Sequence, residues 1–132
     1  MKASHLVEQL LANRSASIKT ALELRDQLLK DESWYSSEQV ATRAIERMLG
    51  VRFRNNWKYP AFQFVQGTGE PHMMMTEILA RLPLDDSGWT AAFWFFMPHG
   101  RLSNNRPADI LHAEPEAVLY AAEKDFAGDD GI

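Results

Sequence analysis

The sequence is 132 residues long, enough for one compact domain, and it contains no cysteine. Disulfides, thiolate metal sites and a thiol nucleophile are therefore excluded. The 45% hydrophobic and 24% charged residues indicate a folded globular domain. The net charge of −4 is uneven, because residues 1–65 carry ten basic and seven acidic side chains whereas residues 66–132 carry four and eleven. A basic half suits a polyanion and an acidic half suits a basic protein surface, although solubility alone also explains such charges.

The N-terminus and the apolar runs predict a cytoplasmic protein that does not cross a membrane. Glu8, Gln9 and Asn13 interrupt the apolar residues where a signal peptide needs an unbroken core. The longest apolar run, residues 91–98, is far shorter than the roughly 20 residues that span a bilayer.

The first 35 residues are expected to form an N-terminal helical region. From Ser4 to Lys30, apolar residues recur at three- and four-residue spacing without proline or glycine. This pattern predicts one long amphipathic helix, or two helices with a break near residues 13–17. The apolar stripe of such a helix must be covered by the chain's own core or by a second copy. A homodimer through this helix is therefore one expectation.

Residues 36–65 begin with the signals of a second helix. Ser36 and Gln39 fit a capping box, and an apolar face follows until Gly50. A short β-hairpin, or wing, is then predicted near residues 51–65, because apolar and basic residues alternate on either side of the turn-forming pair Asn55 and Asn56.

Five basic side chains accompany these two elements and have two interpretations. They are candidate contacts to DNA phosphates, or they are the solvated faces of an amphipathic helix and strand. These residues are Arg43, Arg47, Arg52, Arg54 and Lys58.

Residues 66–127 are expected to form a C-terminal helical domain, followed by a flexible tail at 128–132. The predicted fold class is mainly α, a small helical domain with a long N-terminal helix and the short hairpin. In the aromatic helix, Phe93 and Phe96 should face the core, which leaves Trp94 or Phe95 for a partner. The predicted helices are Met74–Leu82, Ser87–Phe96, a short helix from Pro107, and Pro115–Phe126.

Signatures of catalysis are missing from the sequence. The histidines at 5, 72, 99 and 112 are too scattered to form a helical metal pair. Residues 67–69 are Gly-Thr-Gly, but no Lys-Ser/Thr follows them as a phosphate-binding loop requires. We therefore expect no catalytic residue, cofactor or metal, and not an enzyme. A small enzyme with an unrecognised aromatic pocket is the least favoured alternative.

Several strings occur in a characteristic order between residues 36 and 126. They are RMLGVRFRNNWKYPAFQF at 47–64, Leu82-Pro83, Met97-Pro98, RPADIL at 106–111 and PEAVLYAA at 115–122. In this order they resemble the Xre/MbcA/ParS class of bacterial antitoxins.

The resemblance implies an antitoxin whose C-terminal domain neutralises a RES-domain toxin, an enzyme that acts on NAD, by covering its active-site cleft. The acidic second half and the acidic tail agree with this, because a cleft that binds NAD phosphates is basic. The positions that would contact the toxin are Arg106, Pro107, Asp109, Glu116, Tyr120, Glu123, Lys124, Asp129 and Asp130.

The resemblance also implies an N-terminal region that binds the operon's own promoter. Members of the class commonly carry a complete helix-turn-helix, but here only about five residues separate Ala41 from Arg47. A recognition helix for the major groove does not fit in that space. A DNA-binding transcriptional autoregulator with a shortened helix-turn-helix therefore stays the alternative function, with contacts to phosphates.

Overall fold

A computed structural model describes residues 14–126 of the chain. The chain divides into two compact units, residues 1–32 and 33–132. In the first unit, helix α1 spans Arg14–Asp31, as the apolar periodicity predicted for that stretch. The predicted helical residues 4–13 and the tail at 128–132 lie outside the described residues. From residue 14 to residue 126, no helix combines the length and the apolar character needed to span a bilayer.

The second unit contains a three-stranded antiparallel sheet in the order β1-β3-β2. Strands β2 (Val51–Phe53) and β3 (Asn56–Pro60) form the predicted hairpin, with Phe53 opposite Asn56. Arg54 adopts the positive φ of the turn, 59°, although Asn55 and Asn56 were the predicted turn residues. Strand β1 (Trp34–Ser36) pairs with β3 and was not predicted.

The segment between β1 and β2 is not the predicted α-helix. Gln39 does accept the Ser36 N–H at 2.8 Å, as in a capping box, but Thr42–Arg47 form a 3₁₀-helix. A tertiary hydrogen bond takes the place of a helical one here: the Ala41 N–H donates to the carbonyl of Gly69 at 2.9 Å. The expectation of a mainly α fold is therefore too narrow, and the fold is mixed, with helices beside a small antiparallel sheet.

In the described chain up to residue 126, four α-helices follow the sheet where the sequence predicted them. Helix α3 is central, with Trp89 and Phe96 buried and Phe95 fully enclosed. Phe95 is therefore not a partner-facing residue, and Trp94 is the more exposed of the two candidates. Helix α2 packs on α5, and α4 contacts both α3 and α5. The helices are α2 (Met75–Arg81), α3 (Trp89–Phe96), α4 (Pro107–Ile110) and α5 (Pro115–Phe126), with short 3₁₀-helices at Ala61–Gln63 and Gly100–Leu102.

The hairpin is fixed to the start of α3. The Arg52 N–H donates to the carbonyl of Ser87 at 2.8 Å, and the Trp89 indole N–H donates to the carbonyl of Arg52 at 2.9 Å. Between them, Gly88 has a φ of 80° and lies so close to Gly50 that a Cβ at position 88 would be 1.9 Å from the Gly50 carbonyl oxygen. Only glycine fits this contact, because it combines a positive φ with the absence of a side chain.

Candidate functional site

The last helix, α5, displays one exposed face on the acidic half of the protein. Val118, Ala121 and Ala122 are buried on its inner side. The outer side carries Glu116, Tyr120 and Lys124 at four-residue spacing, so these three side chains lie next to one another. We call these three residues the α5 surface.

Tyr120 is the principal side chain of the α5 surface. It is 53% exposed, and the Lys124 ammonium lies 5.4 Å from the centre of its ring. A cation over the ring face is attracted to it by about 0.5–1 kcal/mol at an exposed site. Tyrosine combines a large apolar face with a hydroxyl, which is why it is frequent at protein interfaces. The α5 surface is therefore suited to contact another protein.

The other predicted contact residue on α5 has an intramolecular partner. Glu123 forms an ion pair with Arg81 of α2 at 3.2 Å, and both side chains are partly exposed. This pair links α5 to α2, and exposed pairs of this kind contribute about 0.2–1 kcal/mol. Asp129 and Asp130, which were also predicted to contact the toxin, lie outside the described residues.

The RPADIL string builds a local ion pair at the start of α4. Arg106 donates from Nε to Asp109 at 2.9 Å and from a terminal nitrogen to its other oxygen at 2.8 Å. The hydrogen bonds from Arg106 lower the pKa of Asp109, against the opposing effect of burial. The guanidinium also lies 5.4 Å from the ring centre of Phe96. The structure therefore brings Arg106 and Asp109 together, and the two side chains form an ion pair with each other.

Pro107 corrects one of the sequence-based expectations. It was predicted to contact a toxin, but its side chain is fully buried. It occupies the first turn of α4, where the missing N–H and fixed φ of proline favour helix initiation. Pro107 is therefore a core residue that starts the helix. Within the RPADIL string, the side chains of Arg106 and Asp109 are the ones that reach the surface.

A group of residues at the end of α5 was not predicted from the sequence. One carboxylate oxygen of Asp125 accepts the Trp94 indole N–H at 2.8 Å and faces His99 Nε2 at 2.7 Å. His99 Nδ1 accepts the Arg101 backbone N–H at 3.1 Å, so the ring hydrogen lies on Nε2 and points to Asp125. The pattern Trp-x₄-His would have been the only sequence signal, and it does not specify Asp125.

The five basic residues do not form one continuous patch. Arg43 is ion-paired with Glu70. Arg52 lies opposite Trp57 in the hairpin, and Lys58 is the next residue along that strand. Because successive residues of a strand point to opposite faces, Arg52 and Lys58 lie on different faces of the sheet. The remaining two, Arg47 and Arg54, are exposed.

Two of the histidines meet in the fold without forming a metal site. The rings of His72 and His112 lie 5.3 Å apart. His72 Nδ1 accepts the Met74 N–H at 3.0 Å, and His112 Nε2 donates to the Phe62 carbonyl at 2.6 Å. Burial and then the neighbouring His112 lower the pKa of His72. From residue 14 to 126, no three histidine, aspartate or glutamate side chains converge as metal ligands.

Comparison with known proteins gives no relative, since no family model, curated protein or solved structure matches the chain. The class of the protein is therefore defined by its own architecture. It is a small mixed α/β protein with an exposed helical surface at its acidic end and a hairpin that carries arginines.

Proposed function

We propose that this protein is the antitoxin of a bacterial type II toxin–antitoxin pair. It neutralises a RES-domain, NAD-consuming toxin by covering the active-site cleft. The observation that carries the proposal is the α5 surface, where an exposed tyrosine stands between an acidic and a basic side chain on the last helix. The order of the sequence strings supports it independently.

The chemistry of the α5 surface suits a cleft that binds a phosphorylated cofactor. Tyr120 supplies the large aromatic contact that dominates binding at many interfaces. Eleven acidic against four basic residues after position 65 give this half a charge that attracts a basic cleft. The Arg106–Asp109 pair on α4 is also accessible at Asp109, whose side chain is 52% exposed. It is a second point of contact in this proposal.

The proposal includes three further properties. The protein acts in the bacterial cytoplasm, by binding and without catalysis. A homodimer forms through the N-terminal helix, because α1 leaves Leu22 exposed on its surface. No cofactor is required for inhibition.

Co-expression with the product of the neighbouring gene, which under this proposal is a RES-domain toxin, tests the proposal. We expect the toxin alone to stop growth and deplete NAD, and this chain to restore both while purifying with the toxin as one complex. A catalytically impaired toxin serves as the control, because it should be bound without affecting growth. Continued growth arrest with both proteins soluble, and no complex with the impaired toxin, would contradict the proposal.

A second candidate function, DNA-binding autoregulation, is favoured by the hairpin. Arg52 and Arg54 are both exposed on it. Residues 36–65 contain no α-helix, so binding would be to phosphates and would not read bases in the major groove. Band-shift titration with the upstream promoter should show affinity that falls steeply with salt. The double variant R52Q/R54Q should reduce the magnitude of the salt slope by about two.

A further inference from the structure

An open groove lies on a different part of the second unit from the α5 surface. Its volume is about 620 Å³, and it is bordered by the 3₁₀-helix 42–47, the hairpin, the end of α2 and the loop before α3. Its walls include Trp57 and Leu84, which are 42% and 60% exposed. Small-molecule sites typically have volumes of roughly 300–1,000 Å³ and mostly apolar walls. The groove therefore has the size and lining of a small-molecule site.

Tyr59 offers the groove a hydroxyl that makes no hydrogen bond to residues 14–126. Tyr59 lines the groove and is only 5% exposed. Burial raises the pKa of Tyr59, so the hydroxyl stays protonated and can donate or accept. The hydroxyl oxygen is not enclosed, so water can reach it and a ligand in the groove can replace that water as its partner.

The charged side chains that line the groove are all acidic. They are Glu46 and Asp85, and no lysine, arginine or histidine of the described residues 14–126 lines it. Asp85 is held by the Ser87 hydroxyl at 2.6 Å and by the Thr90 N–H at 3.4 Å. Burial opposes ionisation of Asp85, but these hydrogen bonds outweigh it and lower the pKa of the carboxyl. Asp85 is therefore anionic at neutral pH.

We propose that this groove binds a small organic cation, an aromatic or aliphatic body that carries an ammonium group. The body would pack on the apolar walls formed by Ile45, Leu79 and Leu84. The ammonium would lie by Glu46 and Asp85, where a cation gains from the carboxylates and from the face of an aromatic ring. This site is separate from the proposed toxin contact and does not depend on it.

Arg52 is the cation that opposes such a ligand. Its guanidinium carbon lies 6.0 Å from the ring centre of Trp57, at the outer limit of a cation–π contact. The guanidinium lies outside the groove lining but close enough to the Trp57 ring to repel the charge of such a ligand. Removing the charge of Arg52 should strengthen binding, whereas removing the charge of Glu46 should weaken it.

NMR titration of the ¹⁵N-labelled full-length protein tests the proposal with two probes of matched size. Phenethylamine carries the ammonium and 3-phenylpropionate carries a carboxylate on the same body. We expect saturable shifts of the Trp57 indole N–H and the Gly50 and Gly88 amides with phenethylamine. Binding of 3-phenylpropionate should be at least about tenfold weaker, since two carboxylates then repel the ligand.

Variants separate the role of charge from the role of the apolar walls. Glu46→Gln should weaken phenethylamine binding by about fivefold, and Arg52→Gln should strengthen it by a factor of about two to five. Glu116→Gln makes the same charge change on the α5 surface and should leave binding unchanged. Tyr59→Phe should weaken binding by about fivefold, through loss of the hydroxyl. Equal affinity for both probes, or no saturable shift with either, would overturn the proposal.

Discussion

Gln63 binds the backbone of Leu49 through both ends of its side-chain amide. Its Oε1 accepts the Leu49 N–H at 2.7 Å, and its Nε2 donates to the Leu49 carbonyl at 2.8 Å. The same Nε2 lies 3.2 Å from the carbonyl of Pro60. Gln63 is fully buried and Leu49 is almost so. One side chain therefore completes the hydrogen bonding of a segment that belongs to no regular element.

Replacing Gln63 with leucine should destabilise the protein strongly. The substitution keeps the approximate size of the side chain but leaves the Leu49 N–H and carbonyl buried without partners. We expect a loss of about 3 kcal/mol in the free energy of unfolding, measured by urea titration. The control is Gln66→Leu at an exposed loop position, which should change the stability by less than about 0.5 kcal/mol. A loss below about 1 kcal/mol for Gln63→Leu would contradict the assigned role.

The contact between Gly88 and Gly50 predicts a large difference between two glycine substitutions. Gly88 and Gly67 have nearly the same φ, 80° and 82°, but a Cβ at position 67 would meet nothing within 4 Å. Gly67→Ala should therefore cost only the strain of a left-handed alanine, about 1–2 kcal/mol. Gly88→Ala should cost at least about 2 kcal/mol more, because the hairpin must move away from α3. Thermal unfolding compares the two variants, and equal losses would show that the close contact is relieved without cost.

The depressed pKa of His72 should make stability depend on pH. Because the folded pKa lies below the unfolded value of 6.5, the unfolded chain binds more protons between the two values. The stabilisation by His72 is therefore complete above about pH 6.5 and is lost as the pH falls through the folded pKa. His72→Asn removes the titration and keeps an acceptor for the Met74 N–H. We expect its stability to fall less than that of the natural protein between about pH 7.5 and 5, measured by urea titration.

The second cause of that shift can be tested separately. His112→Gln removes the neighbouring imidazole and keeps a donor for the Phe62 carbonyl. The pKa of His72, followed by NMR of its ring protons, should rise towards its ordinary value. It should not reach that value, because burial is the larger cause. An unchanged pKa would mean that the two rings do not interact electrostatically.

Tyr120→Ala should weaken toxin binding while leaving the fold unchanged. The side chain is exposed, so its loss removes few intramolecular contacts. If Tyr120 is a principal contact, the dissociation constant should rise at least about thirtyfold, as measured by calorimetry with the catalytically impaired toxin. Val65→Ala is the control, because Val65 is 44% exposed in the loop after the hairpin. The same affinity for both variants would move the contact away from the α5 surface.

The helices of the second unit could be predicted because their sequence signals agree with their packing. Helix α5 has the bounds expected from its apolar face, Pro115–Phe126. Helix α4 begins at the proline that predicted it. The hairpin also followed from alternation of apolar and basic residues. In each case the local pattern and the tertiary contacts favour the same structure.

The segment after β1 could not be predicted, because distant residues determine its structure. Its apolar spacing is helical, but the carbonyl of Gly69 and the amide of Gln63 bind backbone groups that a helix would use. Strand β1 is only three residues long and depends on pairing with β3. The groove was missed for the same reason, since its walls come from four separate segments. Charge composition likewise identified a basic half of the chain. It could not show that two of its basic residues, Arg52 and Lys58, lie on different faces of the sheet.

The close contact of Gly88 with Gly50 has an evolutionary consequence. The carbonyl oxygen of Gly50 occupies the space where a side chain at position 88 would begin. Position 88 should therefore remain glycine as related sequences diverge. The exposed residues of the α5 surface are under no such packing restraint and can change without disturbing the fold. Glycine at 88 together with glutamine at 63 should therefore trace ancestry across distant genomes better than the exposed residues of α5. Chains that keep this pair but differ along α5 would share the fold while presenting a different helical surface.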